Sequence, residues 1–202
     1  MTSTTDNTAT TDNTATTTAD RYAELADGFG TVLDAVDSAS AADEGASRWE
    51  AASPCAGWSA RDVVGHVIDT QRSFLAGQGI DLGAAPDLTE PAIAWRAHRA
   101  AVGQILADPD VAARTYDGHF GPTTIGDTLL RFYGFDLIAH RWDIATAAGI
   151  DHRFTEDELT SLETGADGFG DALYADGVCA RIDIPAGADR QTILLARLGR
   201  RA

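Results

Sequence analysis

The sequence predicts an all-α fold, an up-down four-helix bundle with additional C-terminal helices and at most one short β stretch. Three observations predict it. Apolar residues recur at spacings of three and four over most of the chain. Helix-start signals, a Ser or Thr followed three residues later by Asp or Glu, stand ahead of several of these stripes. No convincing strand alternation competes with them.

The elements follow in order. Residues 1–19 repeat Thr-Asp-Asn-Thr-Ala-Thr in tandem with almost nothing apolar, so a disordered Thr/Asp/Asn/Ala-rich tail is expected there, followed by one domain over 20–202. A first helix from Asp20 aligns Tyr22, Leu25, Phe29, Val32, Leu33 and Val36. A loop ending in Ser53-Pro54-Cys55-Ala56-Gly57-Trp58 leads to Ser59, which opens a second helix with the stripe Val63, Val64, Val67, Ile68, Phe74 and Leu75. The third helix starts at Thr89-Glu90-Pro91, a cap with proline in the tolerated first turn, and is expected to bury Ile93, Ala97, Ala101, Val102, Ile105 and Leu106. The fourth runs from Ile125 to Ala148, capped by Thr124 and ended by Gly149. A fifth begins after Thr155, with Leu159, Leu162 and Phe169 on one face. A β-like stretch at 180–184 and a last helix from Asp189 to Leu198, stopped by Gly199, complete the chain.

Charge narrows the function. There are 31 acidic side chains against 15 arginines and no lysine, a net charge of -16. Only Asp6, Asp12 and Asp20 lie in residues 1–20, so the acidity belongs to the domain. Such a balance disfavours nucleic acid or an anionic membrane as partner. Neither a membrane span nor a signal peptide is apparent, and two cysteines, Cys55 and Cys179, are too few for a disulfide scaffold. A cytoplasmic protein acting on a small molecule is expected, and a homodimer is compatible with the sequence.

The fourth helix carries the chemistry. At 100° per residue, Arg131, Gly134, Arg141 and Ala145 share an arc expected to face solvent, while Ile125, Leu129, Phe132 and Ala147 share the core arc. Asp136, His140 and Asp143 fall on the core arc, where a carboxylate needs a compensating partner, either a polar network or a metal. Asp136 and His140 are one turn apart, the spacing by which two side chains of a helix grip one ion. His66, at the edge of the second helix's stripe, is the best third ligand. Two imidazoles and a carboxylate suit a divalent cation, zinc first, nickel or iron(II) as alternatives, with coordination positions left open. A buried hydrogen-bonded network without metal is the competing reading.

The segment Pro54-Cys-Ala-Gly-Trp-Ser-Ala-Arg-Asp-Val-Val-Gly-His66 resembles the PCPGW(T/S)-x-R-D-(L/V)-x-x-H signature of the mycothiol-dependent maleylpyruvate isomerase-like family, in the DinB superfamily of metal-binding four-helix bundles. Asp136-Leu-Ile-Ala-His140-Arg-Trp-Asp143-Ile-Ala resembles its second signature, D-x-x-x-H-x-W-D-(L/I)-A, and Leu-Ala-Arg-Leu-Gly-Arg200 looks like the ending of its shorter members. Together these span most of residues 20–202. The resemblance implies a DinB-like bundle with His66, Asp136 and His140 at the three metal-ligand positions. It also implies a metal that activates mycothiol or another small thiol for transfer or addition to an electrophile, as a transferase or isomerase. Position 136 is Asp where the isomerase has Glu, and a short β-like stretch and one helix stand where the isomerase has a further domain. The alternative is a metal-binding bundle without thiol chemistry, either a hydrolase using metal-bound water or a non-catalytic binding module.

Around this site, Asp143 is expected to orient a ligand histidine, or else to cap or to pair with an arginine. Trp58 and Trp142 read as core anchors, Cys55 as structural, and His98 as a core histidine. His119 and His152 read as exposed. Arg197, Arg200 and Arg201 favour the dipole at the end of the last helix.

Overall fold

The computed structural model describes residues 16–42, 47–175, 177–184 and 186–201. Helix α1 (Thr18–Ala42) starts two residues earlier than its apolar stripe suggests. Asp20 accepts from the Thr17 backbone at 2.9 Å while Thr17 Oγ1 accepts from the Asp20 backbone at 3.1 Å, a reciprocal cap that sets the first turn. The expected disordered tail otherwise lies outside the described residues. Helix α2 (Ala60–Gly77) opens on the Ser59–Asp62 capping box, and α3 (Pro91–Ala107) on Pro91, followed by the single turn α4 (Pro109–Ala112).

Four helices make the bundle. Helix α1 packs on α3 and on the helix Gly134–Ala147 (α6), and α2 packs on the same two. Their shared core includes Tyr22, Phe29, Leu33, Val64, Ile68, Trp95, Leu129 and Leu137. On α3 the buried face is Ala94, Trp95, His98 and Val102, whereas Ile93 is 52% exposed and Ala97 is exposed. The expected stripe was rotated by one position, because Trp95, the largest side chain on the helix, takes the core and its indole N–H donates to the Ala26 carbonyl at 3.2 Å.

The region before the long fourth helix holds an antiparallel hairpin, β1 (Thr115–Gly118) and β2 (Gly121–Thr124), pairing Thr115 with Thr124 and Gly118 with Gly121. The sequence predicts a loop there and a β-like stretch at 180–184 instead, but no strand forms over 180–184. Two isolated four-residue strands carry too little alternation to be seen before folding.

The fourth helix is continuous but not uniform. It begins as α5 (Ile125–Thr128), passes through a π-helical turn at Leu129–Tyr133, and resumes as α6. The extra residue in a π turn rotates everything after it, so one wheel cannot describe both halves. Phe132, expected in the core, is 45% exposed. Gly134, Arg141 and Ala145, expected in water, are buried.

A second layer explains that burial. Helices α7 (Glu156–Phe169) and α8 (Arg190–Arg197) cover the outer face of α6, and Ile138, Ala139 and Trp142 pack there with Leu159, Leu162, Leu194 and Leu195. Arg141 survives burial by pairing with Glu158 of α7. Trp142 is the anchor expected of it.

Candidate metal centre

The centre lies where α2 and α6 meet the C-terminal segment. His66 stands on α2, two turns beyond the Ser59 cap, and Asp136 and His140 stand one turn apart on α6. Asp136 reaches both histidines: its carboxylate lies 3.8 Å from His66 Nε2 and 3.8 Å from His140 Nε2. The two imidazoles meet edge to face, with centroids 5.2 Å apart. One ligand atom from each of His66, Asp136 and His140 lies within 4.8 Å of the others. The folded chain thus brings together the three residues picked from sequence.

Access is one-sided. The His140 side chain is 8% exposed, while His66 and Asp136 remain 30% and 24% exposed. The cluster therefore meets solvent on the His66–Asp136 side. Trp58 packs at a tilt against His66, with centroids 4.7 Å apart, and is itself 36% exposed, so it borders the cluster instead of anchoring the core.

Behind His140 the chain builds a support. His140 Nδ1 pairs with Asp143 Oδ2 at 2.9 Å, leaving Nε2 turned to Asp136. Asp143 is fully buried and receives Arg200 as well, Nε at 3.0 Å and Nη2 at 2.7 Å. A glycine delivers that arginine. Gly199 ends α8 with φ +79°, and the Arg200 and Gly199 amides donate back to Leu195 and Ala196, turning the chain toward Asp143. Cys55 joins from the other side, its thiol donating to Asp143 Oδ2 at 3.3 Å and lying 4.0 Å from His140 Nδ1. Its loop is a tight turn in which the Trp58 amide donates to the Cys55 carbonyl at 3.0 Å, and Gly57 takes the φ of +82° that such a turn needs.

Two of these partners were not read from sequence. In sequence Arg200 reads as a helix-end arginine favouring the dipole, and Cys55 as structural. Both contacts join residues far apart in the chain, and spacing arithmetic within one helix holds no signal for them. Asp143 combines two of the roles weighed for it, holding a histidine and pairing with an arginine. His98 is a core histidine as expected, its Nε2 3.2 Å from Gln71 Oε1. His119 is exposed, but His152 is half-buried against Phe154.

Burial and the neighbouring charges set the protonation of the cluster. Burial, reinforced by His140, lowers the pKa of His66, keeping it neutral near pH 7. Burial would lower His140 too, but Asp136, the Asp143 hydrogen bond and Cys55 outweigh it and push it up to about 10. Burial would raise Asp143, yet the His140 hydrogen bond and Arg200 hold it below the usual carboxylate range. Without metal, then, His140 carries a proton between two carboxylates.

Cys55, His140 and Asp143 also fall close enough to hold an ion. That group already has its cation, because the Arg200 guanidinium sits 2.7 Å from Asp143 and 3.9 Å from Cys55 Sγ. In the His66–Asp136–His140 group, no arginine forms an ion pair with Asp136 among the described residues, and Arg200 touches only the far side of His140, with Nη2 3.5 Å from Nδ1.

The profile described as Mycothiol maleylpyruvate isomerase N-terminal domain matches residues 25–145, more than half of the chain. Comparison with curated proteins and with solved structures gives no match. The profile spans Cys55, His66, Asp136, His140 and Asp143, but stops before α7, α8 and Arg200.

Proposed function

The chain belongs to the mycothiol maleylpyruvate isomerase N-terminal domain family, and on that premise we propose that His66, Asp136 and His140 hold a divalent cation that activates a small thiol toward an electrophile. The observation that carries this reading is the convergence of three donors from two helices, half open on one side and braced on the other. Two imidazoles and one carboxylate suit zinc first and nickel or iron(II) next, and leave coordination positions free. The cation would favour the thiolate of a small thiol, whose free pKa is about 8.5, and so supply the nucleophile.

The remaining work falls to the chain. Asp143 and Arg200 hold the His140 ring so that Nε2 faces the opening. Asp136 would supply the one anionic donor for the ion from α6. Trp58 stands beside His66, its ring tilted 44° to the imidazole, and would contact a molecule bound at the open side. Mycothiol fits this reading as the thiol, a small unsaturated molecule as its acceptor, and transfer or isomerisation as the reaction. No helix among the described residues is long and apolar enough to cross a membrane.

Calorimetric titration tests both halves. Apo protein is titrated first with zinc, then the loaded protein with mycothiol, glutathione and bacillithiol. Saturable binding of a thiol to the loaded protein alone is expected. Zinc binding without binding of any thiol would leave a metal-binding bundle and remove the thiol chemistry.

A further inference from the structure

Three donors from two helices can share one ion only if those helices keep a fixed gap. Two rungs cross the gap between α2 and the fourth helix. In the first, His66 faces Asp136, with Nε2 3.8 Å from the carboxylate. In the second, one turn further along α2 and three residues back on the other helix, the Tyr133 hydroxyl donates to the Thr70 carbonyl at 3.2 Å. The order of the rungs makes the two helices antiparallel here. No other hydrogen bond joins α2 to the fourth helix among the described residues.

Thr70 carries the tie on to the ligand. Its own hydroxyl donates back to the His66 carbonyl at 2.9 Å and lies 3.3 Å from the Val67 carbonyl, a back-bond that often bends a helix where it forms. The turn of α2 that bears His66 is thus closed by Thr70, and Thr70 is held by Tyr133. Tyr133 itself is fixed. It is 8% exposed, and its ring packs on Phe74 of α2 at 5.5 Å and on Phe132 at 5.0 Å. Burial raises its pKa, with Asp136 adding to the effect, so the hydroxyl keeps its proton near neutral pH and remains a donor. It also closes the π turn that leads into Asp136, and turns of this rare kind occur frequently at functional sites. We propose that Tyr133 is a positioning residue of the metal centre, its hydroxyl setting the gap between α2 and α6 and hence the place of His66 relative to Asp136 and His140. The role rests on the metal-centre reading, which supplies the ion that the three donors share.

The test compares Tyr133→Phe with Tyr22→Phe in the full chain. Each variant keeps its ring and loses one hydroxyl that makes an inward hydrogen bond. The Tyr22 bond, to Gln71 at 2.6 Å, takes no part in the centre. Both variants should lower the urea midpoint of the metal-free protein. Only Tyr133→Phe should weaken zinc affinity, by about three- to tenfold, the range of one neutral hydrogen bond. It alone should also alter the visible absorption of cobalt(II) bound in place of zinc, which reports the geometry of the donors. Zinc affinity within about twofold of wild type, or an unchanged cobalt spectrum, would overturn the proposal. An equal change in Tyr22→Phe would overturn it too, by reducing Tyr133 to general stability. Wild type that takes up neither zinc nor cobalt would remove the metal reading itself, and the role of Tyr133 with it.

Discussion

Asp143→Asn perturbs the support of the centre without changing its shape. The native carboxylate is fully buried and accepts from three directions: His140 at 2.9 Å, Cys55 at 3.3 Å and Arg200 at 2.7 Å. An amide keeps one acceptor oxygen but turns an NH2 toward groups that are themselves donors. Removing one partner of a buried ion pair costs about 3–5 kcal/mol, because the other charge is left uncompensated. Arg200 lies near the end of the described chain and its side chain is 11% exposed, so it can swing partly into water. The expected loss is therefore at the low end, about 3 kcal/mol, read from urea denaturation of metal-free protein. A second effect is separate from stability. His140 loses the acceptor that fixes its ring, and disturbing such a support lowers metal affinity about 10–100-fold. Stability within about 1 kcal/mol of wild type, with unchanged zinc affinity, would refute the role given to Asp143.

Other outcomes follow from the same geometry. Metal uptake near pH 7 should release about one proton, because the cation must displace the proton that Asp136 and Asp143 keep on His140 up to about pH 10; affinity should then rise about tenfold per pH unit, and calorimetry in buffers of different ionisation enthalpy should show the release. His98, held down to about 4 by burial and then Arg72, stays neutral while an unfolded histidine titrates near 6.5. Its contribution is thus present above about pH 6.5 and lost as pH falls toward 4, by about 3 kcal/mol, and His98→Gln should flatten that part of the urea stability profile. Gly199→Ala should cost about 2–3 kcal/mol, since a Cβ there meets the Ala180 backbone at 3.0 Å on top of an unfavourable positive φ. Gly79→Ala, with the same strain and open space around it, should cost about 1 kcal/mol in the same assay.

Much of this was legible in the sequence, for identifiable reasons. Capping boxes at Ser59 and Thr155 placed two helix starts because each is a local hydrogen-bond exchange within four residues. Asp136 and His140 could be paired because one helical turn is a local rule, and His66 followed from its place at the edge of a stripe. The π turn was not legible: nothing in Leu-Leu-Arg-Phe-Tyr marks a change of hydrogen-bond register, and a single wheel then put Phe132 inside and Arg141 outside. The α7–α8 layer was visible as helices, but not which face of α6 they would cover. Arg200 and Cys55 meet Asp143 from 57 and 88 residues away, contacts that only the folded chain creates.

The metal content of protein purified without a histidine tag tests the central claim most directly. Wild type should carry about one divalent ion per chain, and a His66→Ala, His140→Ala double variant, shown by circular dichroism to be folded, should carry almost none. Wild type holding no more metal than the folded double variant would contradict it, leaving His66, Asp136 and His140 as a polar network.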